Sequence, residues 1–201
     1  MAHRAKSSMG CFCFVHQNMF NEHKTTQMAA YFIEREGGEI SKLKLMKLLY
    51  LAERESLRQH GRVMSGDHLV AMPHGPVLST ALDLANDNAL VDEYSLWYAT
   101  IERKDHITLA LRSELAQKDY DELSASDMEI LKKTVQEFGG MSPYEIRNYT
   151  HHLPEYEDPQ GTSALIPYRK ILKALNEYTD EEIEAICEQI EVDDSIDKAF
   201  R

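Results

Sequence analysis

Five side chains could do chemistry if the fold brought them together: Asp67, His68, His74, His151 and His152. Histidine is a common proton carrier and metal ligand, so this set suggests proton transfer or metal-dependent hydrolysis. The spacing argues against both, because Asp67 and His68 point to opposite faces of an extended segment and the usual spacing of metal ligands is missing. We therefore expect no metal or cofactor, and we interpret His74 and His151 as hydrogen-bonded residues that fix two loops against the core.

Other candidates for catalysis are also weak. The sequence has no G-x-S-x-G, Walker-type, G-x-G-x-x-G or H-E-x-x-H motif. Cys11, Cys13 and His16 lack a second pair of matching metal ligands, and Cys187 lies on the apolar stripe of a predicted helix, where packing is expected. The sequence predicts that the protein is not an enzyme.

Charge and composition exclude several classes of protein. The 201 residues carry a formal net charge of −12, which weighs against a general nucleic-acid binder because phosphate binding needs a cationic surface. No apolar run approaches the roughly 18 residues that span a bilayer, so no membrane partner is expected. Three cysteines do not make a disulfide framework, and a reducing cytoplasm is the predicted location.

The two ends differ from the rest of the chain. Residues 1–18 combine a basic start with a short apolar run that is not followed by a signal-peptide cleavage site, so we predict a disordered or non-native extension. From Glu177 onwards ten acidic residues stand against two basic ones, and residues 193–201 are predicted to be a poorly ordered acidic end. The predicted domain is a single one, residues 19–192.

A long central helix is the strongest predicted element. The pattern predicts that it starts after Ser41, ends at Gly61, and is apolar on most of its circumference. Its narrow polar sector holds Lys44, Lys47, Arg54 and Arg58. This stripe is interpreted as solvated or paired with local acids; the alternative is a docking surface for an acidic partner or for the chain's own acidic end. Tyr50 has two interpretations. Its hydroxyl is presented to the following loop, or the side chain is buried with one satisfied hydrogen bond.

The remaining pattern predicts a mostly α, single-domain helical bundle with one small β-hairpin. A first helix is expected from Thr25 to Glu36, and a third from Pro76 to Asp87. Strands 96–101 and 106–111 are expected to form the hairpin. Capping boxes are predicted at Ser126–Glu129, Ser142–Glu145 and Thr179–Glu182, with a further helix from Pro167 to Asn176.

Several segments together resemble the Panacea domain, an antitoxin family that also contains SocA-like and phage GepA-like proteins. Residues 42–52, KLKLMKLLYLA, are similar to its "KLQKLLYFA" helix, and residues 61–67 and 71–77 are similar to its G-D turn and its "GPV" loop. Residues 150–156, THHLPEY, resemble its "T-H-x-x-P-x-aromatic" segment, and residues 166–168 its "I-P-aromatic" helix start. The residues assigned to the family's structural motif are Leu43, Leu48, Leu49, Tyr50, Gly66 and Asp67.

The resemblance implies an antitoxin that neutralises a cognate protein toxin by direct contact, without enzymatic activity. It also implies an alternative, an adaptor that delivers the toxin to a ClpXP-type protease. A metal-dependent hydrolase at the histidines is the third hypothesis. Neither the toxin's identity nor the oligomeric state, monomer or homodimer, follows from the sequence.

The predicted partner-binding surface consists of two proline-stiffened segments, which lose little conformational entropy on docking. Its residues are Met72, Pro73, His74, Gly75, Pro76, His151, Leu153, Pro154 and Tyr156. The alternative is that these residues determine the fold and that the partner binds elsewhere.

Overall fold

The computed structural model describes residues 20–89, 95–112 and 120–199. Over these residues the chain forms eight helices and six short strands, which confirms a mostly α fold. The helices are α1 (Glu22–Arg35), α2 (Lys42–His60), α3 (Ser79–Ala85), α4 (Leu96–Thr100), α5 (Ala125–Phe138), α6 (Pro143–His151), α7 (Tyr168–Leu175) and α8 (Asp180–Ala199). The strands are β1 (Glu39–Ser41), β2 (Leu69–Ala71), β3 (Val77–Leu78), β4 (Ile101–Arg103), β5 (Thr108–Leu111) and β6 (Ala164–Leu165).

Helix α2 is the centre of the core, as the sequence predicts. It packs against α1, α5, α6, α7 and β3. Leu45, Leu48, Leu49 and Tyr50 are fully or almost fully buried, and Gly61 ends the helix with a left-handed backbone, φ 59°. The apolar surface of α2 is too wide to be covered by one neighbour, so helices surround it on several sides.

Two small antiparallel sheets flank the helices, where the sequence predicted one. The first has the order β1-β5-β4 and contains the expected hairpin, with Ile101 opposite Leu111. The second has the order β3-β2-β6, with Val70 opposite both Val77 and Leu165. Its strands have only two or three residues, which is too short for an alternating pattern to be recognised.

Two predicted elements are wrong because tertiary contacts override local pattern. The helix expected from Pro76 begins at Ser79, since Val77 and Leu78 pair with β2. The predicted strand 96–101 is mainly α4, whose start is held by the Glu22 carboxylate, which accepts hydrogen bonds from Trp97 N at 3.0 Å and Ser95 Oγ at 2.6 Å.

The helix caps are partly as predicted. The boxes Ser142–Glu145 and Thr179–Glu182 are confirmed by reciprocal hydrogen bonds. Two starts are wrong. Helix α5 is capped by Ser124 with Asp127, two residues before the predicted box, and α1 starts at Glu22, three residues early, because Asn21 accepts a hydrogen bond from Lys24 N.

The terminal predictions are tested only in part by the described residues. Residues 1–18 lie outside them, as do Cys11, Cys13 and His16. Helix α8 continues to Ala199, so residues 193–199 are helical where the sequence suggested a poorly ordered end. Its Ile183 and Ile190 are buried, and Ile186 and Cys187 pack against the core, as the predicted apolar stripe requires. The domain limits themselves stay a prediction.

Candidate functional site: a loop, a helix end and an apolar cleft

The loop 72–76 and the segment 151–156 lie against each other. The Tyr156 hydroxyl donates a hydrogen bond to the Met72 carbonyl at 2.9 Å, and the His151 and Tyr156 rings pack with their centroids 4.7 Å apart. Two stretches separated by about 80 residues of sequence therefore form one continuous surface.

Gly75 permits the close approach of the loop to helix α6. Its φ is +90°, a conformation that residues with a side chain rarely adopt. A Cβ placed there would lie 2.9 Å from His151 Cδ2 and 3.0 Å from both Lys47 Nζ and Thr150 Oγ1. The glycine is therefore required by both the backbone conformation and the packing.

Lys47 lies beneath this loop and is fully buried. Its ammonium group donates a hydrogen bond to the Pro76 carbonyl at 2.8 Å. Burial, reinforced by the neighbouring positive charge of Arg147, lowers the pKa of Lys47 to about 7. The lysine thus fixes the loop from below.

The solvated interpretation of the basic stripe on α2 is wrong for its lysines, since Lys44 is also buried. The pairing interpretation holds for three of the four residues. Lys44 pairs with Glu36 at 2.7 Å, Arg54 with Glu155 at 2.6 Å, and Arg58 with both Glu55 and Glu177. Lys47 differs from them because it pairs with none of the described carboxylates and donates to the Pro76 carbonyl instead.

Lys47→Met should change how stability depends on pH. The folded-state pKa is about 7 and an unfolded lysine titrates near 10.4, so between these values the unfolded chain binds one more proton than the folded chain. This difference in proton binding should raise the free energy of unfolding of the wild type by about 2 kcal/mol from pH 7 to pH 9. The methionine variant should lack this contribution. Urea unfolding of both proteins at pH 7, 8 and 9 measures the difference. If the free energies of unfolding of the two proteins changed in the same way with pH, a buried Lys47 with a lowered pKa would be contradicted.

Glu155 anchors the segment 151–156 to α2. It is fully buried and accepts hydrogen bonds from Arg54 Nε at 2.6 Å and from the Tyr50 hydroxyl at 3.1 Å. Burial, followed by the nearby Glu155 charge, raises the pKa of Tyr50. Of the two interpretations of Tyr50, burial with a satisfied hydrogen bond is confirmed.

Two further buried carboxylates hold the connection between α2 and α3. Glu53 accepts hydrogen bonds from Met64 N at 2.7 Å and Ser65 N at 3.2 Å, and burial raises its pKa to about 7. Asp67 accepts from Thr80 N at 2.9 Å and Ala81 N at 2.8 Å, so it caps α3 from a distant position. Both carboxylates therefore hold backbone N–H groups of this connection in place.

The histidines differ in their positions and surroundings. Among the described residues no group of three or more His, Cys, Asp or Glu side chains is placed to hold a metal ion. His74 is exposed, so the expectation that it holds its loop against the core is wrong. His151 fits that expectation better, because it is partly buried beside Gly75 and burial lowers its pKa, with Arg147 adding to the effect. His152 Nδ1 lies 2.7 Å from the Asn148 carbonyl.

An apolar cleft of about 860 Å³ adjoins the loop. It lies between the start of α2, the loop 72–75, the start of α6 and residues 161–163. Most of its wall is apolar, contributed mainly by Leu43, Met46, Met72, Pro73, Val77, Leu82, Ile107, Pro143 and Tyr144. A concave apolar surface of this kind accepts the side chains of a ligand or partner.

The predicted partner-binding residues divide into four groups by position. Met72, Pro73, His74 and Gly75 line the cleft. Tyr156 and His151 support the loop from behind, and Pro76 and Leu153 are buried. Pro154 is exposed on the segment that Glu155 anchors. The sequence did not identify Lys42, Lys47 and Glu155 as part of this region, although all three lie within quoted motifs, because a charged residue carries no sign of which distant residues will surround it.

The fold is a small, mostly helical domain in which loop 72–76, segment 151–156 and the apolar cleft adjoin one another. The family model "Antitoxin SocA-like, Panacea domain" matches residues 45–157, more than half of the chain. The chain belongs to this antitoxin family. The matched range contains the core of α2, the loop 72–76 and the segment 151–156. The chain has no significant match among curated proteins or solved structures. None of the described helices has the length and hydropathy needed to cross a membrane.

Proposed function

We propose that this protein is the antitoxin of a toxin–antitoxin pair in the cytoplasm and that it neutralises a cognate protein toxin by direct, non-enzymatic contact. Family membership supports a general antitoxin role. The observation that carries the mode of action is the joint surface of loop 72–76, segment 151–156 and the adjoining cleft.

The rigidity of this surface supports a contact mechanism. The loop is fixed by the Lys47–Pro76 hydrogen bond, by the Tyr156–Met72 hydrogen bond and by the packing at Gly75. A surface that is already ordered before binding avoids the entropy cost of ordering it in the complex. Rigid apolar side chains beside it then contribute directly to affinity.

Co-expression with the product of the adjacent gene tests the proposal. We expect wild-type protein to restore growth when that toxin is induced, and the double variant Met72→Asp with His74→Ala to lose at least tenfold in neutralising potency, because a carboxylate then lies in an apolar contact. Potency is measured as the inducer concentration that restores half-maximal growth.

A matched control introduces the same chemistry elsewhere. Val192→Asp with His60→Ala changes an exposed apolar residue and an exposed histidine outside the surface, and it should neutralise like wild type. Unfolding curves establish that both variants are folded. A folded Met72/His74 variant with wild-type potency would place the contact elsewhere, and failure of the wild-type protein to restore growth would reject the pairing.

Toxin lifetime separates simple neutralisation from delivery to a protease. We expect the toxin in complex to persist equally in cells with and without a ClpXP-type protease. A shorter half-life only where the protease is present would favour the adaptor alternative.

A further inference from the structure

The cleft beside loop 72–76 has an unusual charge for this protein. The chain contains 34 acidic and 22 basic residues, yet none of the described residues that line the cleft is acidic. Lys42, Lys47 and His74 are its basic lining residues. An apolar cavity whose lining holds basic residues and no acidic ones complements a ligand that is both apolar and anionic.

Lys42 is the group best placed to meet an anion. It is partly exposed at the start of α2, and its ammonium group donates to the Asn86 side-chain carbonyl at 2.6 Å. It makes no ion pair with any residue in the described part of the chain, because nearby Asp87 pairs with Arg103 at 2.8 Å instead. Burial, with the positive charge of Arg103, lowers the pKa of Lys42, and the Asp87 charge opposes this effect. An incoming carboxylate would relieve this effect, whereas Lys47 is enclosed beneath the loop and would act only at a distance.

The apolar surface extends beyond the cavity. Ile107 and Tyr144 line the cleft and are 70% and 72% exposed, the two most exposed large apolar side chains among the described residues. A small amphiphile held in the cavity would leave these side chains in water. A polypeptide segment lying across the opening would cover both, which favours a protein partner.

We propose that the cleft binds one segment of the toxin in which an Asp or Glu is flanked by large apolar side chains, with the carboxylate pairing to Lys42. This inference rests on the proposed function and specifies the part of the partner that is recognised. The apolar side chains enter between Leu43, Met46 and Met72 and pack under Ile107 and Tyr144.

A displayed library of random heptapeptides without free C-termini tests the inference on the purified full-length chain. Wild-type protein should enrich peptides that combine apolar residues with Asp or Glu. Lys42→Met should enrich apolar peptides that lack Asp and Glu. Its affinity for synthetic copies of the peptides enriched on wild type should be about fivefold lower, which is the effect of one partly exposed ion pair. Tyr144→Asp should bind neither kind of peptide.

Lys104→Met is the matched control, because Lys104 is an exposed lysine outside the cleft that pairs with Glu102. It should select the same acidic peptides as wild type. Absence of acid enrichment on wild type, or the same enrichment on Lys42→Met, would overturn the inference. So would binding of decanoate with no peptide enrichment, or a dimer by light scattering that Tyr144→Asp dissociates. The growth assay is independent, so wild-type neutralisation with a failed selection rejects this inference alone.

Discussion

Glu155→Gln is expected to lower the free energy of unfolding by about 3 kcal/mol. Glu155 is fully buried, and its carboxylate holds the Arg54 guanidinium and the Tyr50 hydroxyl. The glutamine keeps the shape but removes the negative charge, which leaves the Arg54 charge, whose side chain is only 18% exposed, without its counter-ion. The segment 151–156 should then detach from α2 before the rest of the domain unfolds.

Equilibrium unfolding in urea measures the loss, and hydrogen exchange shows whether it begins in the segment. Glu157→Gln is the matched control two residues away, since Glu157 is exposed and its solvent-screened pair with Lys170 should contribute little to stability. If the two variants were equally stable, Glu155 would not be the anchor of the segment. Because the segment supports loop 72–76 through Tyr156, we also expect Glu155→Gln to neutralise the toxin less well.

Gly75→Ala is expected to destabilise the domain by about 3 kcal/mol, as the sum of two effects. An alanine at φ +90° is strained, and its methyl group would lie within 3.0 Å of Lys47, Thr150 and His151. These neighbours cannot all move, because Lys47 is buried and bonded to Pro76. The loop is therefore expected to shift away from α6.

Gly37→Ala separates the two effects. Gly37 has nearly the same backbone conformation, φ +92°, but nothing lies within 4 Å of the position of its added Cβ. Gly37→Ala should therefore lower the free energy of unfolding only through backbone strain, by about 1 kcal/mol. Thermal and urea unfolding of both variants give the comparison. Equal losses would mean that the packing beneath Gly75 contributes nothing.

Periodicity along the chain is informative for a long helix and much less so for a short hydrophobic run. The wide apolar surface of α2 predicted its central position correctly, because burial of so broad a surface needs neighbours on several sides. The same reasoning was wrong for Leu96–Thr100, where a hydrophobic run of strand-like composition becomes a helix. There the distant Glu22 carboxylate fixes the first turn, and no local pattern contains that information.

The sequence predicted the two segments of the candidate site, but not the charged groups that surround them. Prolines and the glycine indicated two stiff segments, and the structure places loop 72–76 against residues 151–156. Nothing in the sequence indicated that Lys47 is buried under Gly75, or that Lys42 is left without a carboxylate partner. Both facts depend on which residues from other elements surround each ammonium group.

By itself the sequence determined the mostly α class, the central helix, two of the capping boxes and the family resemblance, because each depends on residues close together in the chain. Only the tertiary structure decided which charges are buried, which acids pair with them and where an apolar cleft opens. Desolvation and ion pairing depend on distances between atoms of distant segments, and periodicity along one segment does not encode those distances.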